Sequence, residues 1–278
     1  MKILKRIYLA SLILITLIAI GILFYPSFSN YINNKYAVST ISEYNESMNN
    51  IGDPEIEELK KESQKYNEEL FLKGTEPEGH KEESMIGYIE IPSINIYLPI
   101  YYGTSNEVLR KGVGVLEKTS IPVGGKSTHS VLSAHTGVPT QKLFTDIDQL
   151  KSGDFFYIHV LKEKLTYKVD NSKVVKPNDS KDLKIYEGKD YVTLLTCYPY
   201  GANTDRLLVR GERVEEGITI EEDLNKPNKE NNGFDEIRNN NLDNKDSFNK
   251  SSMFIIVILI LVIIIIFIQI IRNQRKKK

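Results

Sequence analysis

Two long apolar runs bracket this chain of 278 residues, and the region between them is polar. The first run covers residues 7–28 and the second covers residues 253–271, and neither contains a charged side chain. Each run is about 20 residues long, which is enough for a helix to cross the ~30 Å hydrocarbon core of a bilayer. The pattern therefore predicts a transmembrane helix near each end, with a water-soluble region between them.

Basic residues flank both apolar runs. Lys2, Lys5 and Arg6 precede the first, and a basic segment that begins at Arg272 follows the second. Because cationic residues close to a span tend to remain cytoplasmic, both termini are expected inside the cell and residues 29–252 outside. A cleaved signal peptide is the alternative for the first run, but no small-x-small cleavage site follows it, which favours an uncleaved membrane anchor.

Charge is unevenly distributed along the chain. The net charge is -1, and removing the eight basic residues at the two ends leaves the region between the apolar runs near -9. Binding to nucleic acid needs clustered Lys and Arg side chains, so this acidic region argues against a nucleic-acid partner.

The region outside the membrane divides into three parts. Residues 29–80 are polar with Leu and Ile at helical intervals, and a break near Gly52 predicts two helices, the second beginning at Asp53-Pro54. Residues 81–221 contain seven or eight short β-branched and aromatic runs separated by turns, typical of a closed barrel or a sandwich. Residues 222–252 are rich in Asn and poor in apolar residues, which predicts a flexible linker.

The chain has one cysteine, Cys197, so no internal disulfide can form. It ends an apolar run that begins at Tyr191, and a turn, Tyr198-Pro199-Tyr200-Gly201, follows it directly. A buried free cysteine is often only a small apolar residue. At the exposed end of a strand outside the cell, however, a lone thiol is an oxidation hazard, which favours a functional role.

A cysteine nucleophile needs a base nearby, and the chain offers four histidines: His80, His129, His135 and His159. His80 lies in a charged linker and His159 within a strand pattern. His129 and His135 are six residues apart on one predicted strand, so they share a face, and periodicity does not choose between them. The turn that follows His135 favours His135, because it would expose the ring.

Stabilising an oxyanion requires a donor close to the thiol. Arg206 follows Cys197 by nine residues, across one turn and into the next strand, so two antiparallel strands could hold them side by side. Arg210 and Arg213 are rivals that lie further from the turn.

The segments TLLTCYPYGANTDRLLVRGER (residues 193–213) and SAHTGVPTQKLF (residues 133–144) resemble the sortase family. The resemblance covers roughly residues 85 to 213 and implies a mainly β fold, an eight-stranded barrel. The resemblance implies that Cys197, His135 and Arg206 correspond to the catalytic Cys, His and Arg of the family. The Tyr-Pro-Tyr-Gly-Ala-Asn turn and the second apolar run resemble class C sortases, which assemble pili.

Class C membership implies a specific reaction. Cys197 would cleave an LPXTG-like sorting signal between Thr and Gly and pass the acyl group to a Lys amine of a pilin subunit, with no metal or cofactor. A sortase that attaches surface proteins to a cell-wall precursor amine is the alternative within the family.

Class C sortases commonly carry a lid with an Asp-Pro-aromatic motif, in which the Asp meets the catalytic Arg. Here the corresponding residues are Asp53, Pro54 and Glu55. The first two agree with the motif, whereas Glu55 would be a poor cover for a thiol, so any lid is expected to be looser than usual. The other interpretation of Asp53-Pro54 is a helix cap.

Two other function classes fit less well. An L,D-transpeptidase would show Ser-His-Gly before its cysteine, where this chain has Leu195-Thr196. A non-enzymatic surface protein would need an LPXTG-like pentapeptide before its last apolar run, where this chain has Phe248-Asn249-Lys250-Ser251-Ser252.

Overall fold

A computed structural model describes residues 2–75 and 84–214. The predicted linker (222–252) and the second predicted span (253–271) lie outside these residues. The described chain contains α-helices α1 (Lys2–Asn50), α2 (Asp53–Lys73) and α3 (Asn106–Lys111), and short 3-10 helices at Pro92–Ile94, Ile147–Gln149 and Lys181–Leu183. Its strands are β1 (Met85–Ile91), β2 (Ile96–Tyr102), β3 (Val113–Val115), β4 (Thr128–Ser133), β5 (Phe155–Val160), β6 (Glu163–Val175), β7 (Asp190–Tyr198) and β8 (Asp205–Arg213).

The first apolar run lies within helix α1. Within the described part of the chain, one helix is long and apolar enough to cross a membrane, with a mean hydropathy of 2.7, and none of its apolar window is buried by other residues. Length and composition therefore allow an N-terminal membrane anchor or a signal sequence. The described residues up to Ser27 and those from Phe28 onward form separate compact units.

Helices α1 and α2 are separated at Ile51 and Gly52, where the sequence predicts a break. Gly52 is the N-cap of α2, Asp53 and Pro54 follow it at the first two helical positions, and no side chain caps the helix. The expected side-chain cap by Asp53 is therefore wrong. The Asp53 carboxylate still lies in the first turn, where it interacts favourably with the helix dipole.

The eight strands form a closed barrel in the order β1-β2-β3-β4-β7-β8-β6-β5, with β5 pairing back to β1. The β2–β3 and β4–β7 pairs are parallel and the remaining pairs are antiparallel. Closure leaves these eight strands with no open sheet edge for association with another chain. The predicted closed barrel is therefore confirmed, although the three-residue strand β3 is too short to have been recognised from the sequence.

Alternation along the strands separates an inner from an outer face. Leu132, Val192, Leu194 and Val209 belong to the buried apolar core of the barrel. Successive side chains of a strand point to opposite sides, so on each of these strands the residues that alternate with the core residues lie on the outer face of the barrel.

Helices α1 and α2 are each tied to the barrel by polar contacts, which are partly buried for α1 and buried for α2. The Tyr44 hydroxyl of α1 donates to the Ile86 carbonyl (2.7 Å) and accepts from the Leu161 amide (3.2 Å). The buried Asn67 side chain of α2 bonds both the amide and the carbonyl of Ile121, at 2.7 and 3.0 Å. These contacts satisfy polar groups that would be costly to bury unpaired.

Candidate active site

The parallel pairing of β4 with β7 brings His135 beside Cys197. The register runs from Thr128 opposite Asp190 to Ser133 opposite Leu195. The Ala134 amide continues the pairing by donating to the Leu195 carbonyl, at 3.2 Å. His135 follows the end of β4 by two residues, and the β4–β7 register extended by the same two residues would set it against Cys197.

The antiparallel pairing of β7 with β8 brings Arg206 to the other side of the thiol. Cys197 and Arg206 are directly opposite in the register, between the pairs Thr196 with Leu207 and Tyr198 with Asp205. Opposite residues in an antiparallel pair have Cβ atoms about 5 Å apart. Cys197 of β7, Arg206 of β8 and His135, two residues past the end of β4, therefore form a row at the ends of three neighbouring strands.

This row lies on the outer face of the barrel. Leu194 of β7, Ala134 after β4 and Leu207 of β8 belong to the core, and each is an odd number of residues from the corresponding member of the row. Cys197 is partly exposed, which fits the expectation of an accessible thiol. A peptide could reach the sulfur atom without entering the barrel.

Local hydrogen bonds fix the segment that carries His135. The buried Thr196 hydroxyl donates to the Ala134 carbonyl at 2.7 Å, which links the residue before Cys197 to the residue before His135. The His135 carbonyl accepts from the Phe144 amide, at 3.1 Å. Thr196 was not singled out from the sequence, where the only signal was a polar residue at an inward position of a buried strand.

Arg206 is held by the turn between β7 and β8. Its Nη1 atom donates to the carbonyl of Asp205 at 2.8 Å and to that of Asn203 at 3.3 Å. Both of these acceptors are neutral backbone carbonyls, not carboxylates. The Asp205 carboxylate, in contrast, is paired with Lys176 at 2.6 Å.

The other described histidines are structural. His129 is fully buried, and its Nδ1 donates to the Lys184 carbonyl (2.8 Å) while Nε2 accepts from the Thr193 hydroxyl (2.7 Å). His159 pairs with Glu90 at 2.9 Å and stacks on Tyr88. Burial lowers the pKa of both histidines, so both favour the neutral form. These contacts make His129 unsuited to serve as a base, so His135 stays the predicted partner of Cys197.

The rival arginines are also engaged elsewhere. Arg210 binds the Asp170 carboxylate through two nitrogens and lies over the Tyr191 ring, 4.2 Å from its centroid. Arg213 lies over the Tyr167 ring at 5.7 Å. Both are further from Cys197 along β8 than Arg206 is.

The Asp53-Pro54-Glu55 segment is not brought to this row. Asp53 is 95% exposed and pairs with Lys162 at 3.2 Å, in the turn between β5 and β6. Lys162 precedes β6, whereas Arg206 pairs with Val175 at the other end of that strand. The predicted contact between Asp53 and Arg206 is therefore not formed.

The length of helix α1 also separates the Asp53 segment from the loop that follows His135. Asn33 donates to the Thr140 carbonyl, in the loop that follows His135, at 2.9 Å. The part of α1 from Asn33 to Asn50 extends roughly 25 Å as an α-helix. The break between α1 and α2 consequently lies well away from the His135 loop.

The row can support acyl transfer. A thiol beside an imidazole can be activated as a nucleophile, and the imidazole can pass a proton to a leaving amine. A guanidinium on the far side can donate hydrogen bonds to an oxyanion or to a substrate carbonyl.

Comparisons with known proteins agree with this chemistry. Residues 89–214 match the family model described as the sortase domain. The matched region is 31% identical to Sortase D of Bacillus subtilis over 131 residues, 46% of this chain and 63% of that relative. It is 30% identical to Sortase A of Bacillus anthracis, over 48% of this chain and 61% of that relative. The match thus spans less than two thirds of either protein.

Solved structures give a more complete match. Clostridium perfringens sortase C, solved with a C-terminal cell wall sorting motif, is 62% identical, with a TM-score of 0.62, and the alignment covers 64% of this chain and 100% of that one. Streptococcus pneumoniae sortase C is 43% identical, with a TM-score of 0.59, over 64% of this chain and 97% of that one.

Proposed function

Since the chain belongs to the sortase family of cysteine transpeptidases, with class C sortases among its homologues, we propose that it polymerises pilin subunits at the outer surface of the cell membrane. The observation that supports the proposal is the strand register, which pairs Cys197 directly with Arg206 and ends the β4–β7 pairing two residues before His135 and Cys197. The Clostridium perfringens sortase C structure contains a C-terminal cell wall sorting motif, which supports a sorting signal as the substrate of this chain as well.

In the first half-reaction, the Cys197 thiolate attacks the carbonyl carbon of Thr in an LPXTG-like signal. The Thr–Gly bond breaks, the electron pair leaves with the Gly nitrogen, and His135 protonates that amine. The product is a thioester between Cys197 and the Thr carbonyl. Arg206 orients the signal and donates hydrogen bonds to the tetrahedral oxyanion.

In the second half-reaction, a Lys amine of another pilin attacks the thioester carbonyl. His135 accepts a proton from the attacking nitrogen, the carbon–sulfur bond breaks, and the thiolate is regenerated. An amide bond then joins the two subunits, with no net oxidation or reduction. An amine of a cell-wall precursor could complete the same step, since the three side chains of the enzyme would act identically.

The test uses the full chain in detergent, with purified pilin. A covalent ladder of pilin is expected with the wild type and none with Cys197→Ala, and mass spectrometry of a slowly resolved reaction should detect the acyl group on Cys197. Attachment to a wall-precursor amine without a ladder would favour the alternative acceptor. A ladder formed by Cys197→Ala would contradict the proposal.

A further inference from the structure

Tyr200 lies in the turn after Cys197 and packs against the loop that carries His135. A Cβ atom placed on Gly137 would lie 3.4 Å from Cε2, 3.6 Å from Cδ2 and 3.7 Å from Cζ of Tyr200. The ring therefore lies alongside Gly137, at ordinary van der Waals distance from the position that a Cβ atom there would take. The contact joins two segments that are far apart in sequence and that each follow a residue of the catalytic row.

Gly137 is suited to this position by its backbone conformation. Its φ is +71°, in the left-handed region that glycine adopts without strain. Its amide donates to the Thr145 hydroxyl at 3.2 Å, which fixes the backbone against which the ring packs.

The strands alone do not hold the His135 loop and the turn together beyond their ends. Strand β4 ends at Ser133, and within residues 84–214 the hydrogen bonds that continue its pairing with β7 end at Ala134. His135 therefore lies beyond the paired part of β4. Gly137, two residues after His135, lies alongside the ring of Tyr200. Tyr200 is itself 66% exposed, so burial of its ring in the core does not explain its position.

We infer that Tyr200 is a positioning residue, which keeps the imidazole of His135 beside the thiol of Cys197 by packing its ring on Gly137. This inference rests on the proposed function. The reaction rate depends strongly on the positions of the reacting groups, since a displacement of about 1 Å can lower the rate about 100-fold. Loss of the ring should therefore lower the rate of acylation and leave the fold intact.

The test compares Tyr200→Ala and Tyr200→Phe in the full-length protein. The alanine variant is expected to lower kcat for a fluorogenic LPXTG-type peptide about tenfold with KM nearly unchanged, because the positioning is lost but not the peptide site. The phenylalanine variant should retain wild-type kcat, because the ring and not the hydroxyl makes the contact. Tyr36→Ala, which removes a ring of similar exposure (63%) from α1, is the matched control.

A second measurement is independent of the sorting signal. The rate at which iodoacetamide alkylates Cys197 is compared near neutral pH and at about pH 9, where a free thiol ionises without assistance. His135→Ala should depress the neutral rate relative to the alkaline rate, and Tyr200→Ala should do the same to a smaller extent.

The outcomes separate the inference from the proposed function. If His135→Ala changes the alkylation ratio and Tyr200→Ala does not, the positioning role is wrong and the proposed function stands. If neither variant changes the ratio, the pairing of Cys197 with His135 is wrong and both fail. Equal losses of kcat in the alanine and phenylalanine variants, or an effect on KM alone, would mean that Tyr200 contacts substrate instead.

Discussion

At the residue scale, identical side chains on one strand have different roles because their neighbours differ. Arg206 and Arg210 are four residues apart on β8 and share its outer face. Arg210 is neutralised by Asp170, with the closest contact at 2.6 Å. Arg206 contacts only backbone carbonyls among its hydrogen-bond partners in the described residues. Of the two arginines, Arg210 is thus the one whose guanidinium hydrogen-bonds a carboxylate, which supports the predicted role of Arg206 toward substrate.

Substituting lysine at each position should separate the two roles. Arg206→Lys is expected to lower acylation about 100-fold, because an ammonium cannot reproduce the planar fork of donors, and to leave stability nearly unchanged. Arg210→Lys should instead lower the free energy of unfolding by about 1 kcal/mol through loss of the two-nitrogen contact with Asp170. Peptide cleavage rates and urea unfolding of both variants measure the two effects, and a reversed pattern would contradict the assignment.

Buried histidines give the fold a dependence on pH. Burial lowers the pKa of His129 and His159 from 6.5. The unfolded chain therefore binds protons at a higher pH than the folded one, so stability is complete above 6.5 and falls as the pH decreases. Burial raises the pKa of Asp190 above 3.8, which acts in the opposite direction, but in a more acidic range.

The melting temperature is accordingly expected to fall from about pH 8 to about pH 5. His129→Asn should show a shallower fall over the same range, because one titrating group has been removed, although its absolute stability will be lower. Scanning calorimetry at matched ionic strength measures both slopes. Equal slopes in the two proteins would show that His129 does not contribute.

The site residues differ in how far the sequence determines them. The end of a strand before a turn predicted Cys197 as a site residue, and the spacing across that turn predicted Arg206. The strand pattern placed His129 and His135 on one face and could not choose between them, because the choice depends on the β6–β7 segment, whose Lys184 carbonyl accepts from His129. That contact joins residues 55 positions apart, which local periodicity does not detect.

At the scale of elements, the break between α1 and α2 is tied to the β5–β6 turn. Lys162 donates to the Ile51 carbonyl at 2.9 Å and pairs with Asp53, and Lys60 pairs with Glu163. The sequence predicted the break but not this partner, because a turn far along the chain supplies it. Asp53 and Pro54 thus belong to the junction between α1 and α2, which Lys162 ties to the barrel.

Asp53→Ala is therefore expected to leave the acylation rate within about twofold of the wild type. The side chain is almost fully exposed, and exposed ion pairs contribute about 0–1 kcal/mol, so stability should change little as well. Stopped-flow measurement of thioester formation provides the readout, and Lys162→Ala serves as the matched partner variant. A marked acceleration in Asp53→Ala alone would indicate that this segment covers the thiol at some stage of the reaction.

At the scale of the whole molecule, the proposed reaction requires a defined topology. Sorting signals and acceptor amines outside the cell can reach Cys197 only if the barrel is outside as well. The exposed apolar part of α1 is compatible with an anchor, and the basic residues that flank both apolar runs predict that the two termini are inside. The single cysteine makes this arrangement directly measurable, since any thiol label on the wild type reports the position of Cys197 alone.

In intact cells, a membrane-impermeant maleimide is expected to label the wild-type protein. The variant Cys197→Ala/Lys278→Cys carries its thiol at the C-terminus instead, and it should be labelled only after the membrane is permeabilised. Labelling of that variant in intact cells would place the C-terminus outside, so residues 253–271 would not cross the membrane as predicted. A denatured sample serves as the control for the accessibility of Cys197. If wild-type Cys197 is labelled only after permeabilisation, the barrel lies inside the cell. Pilin polymerisation at the cell surface could not occur there.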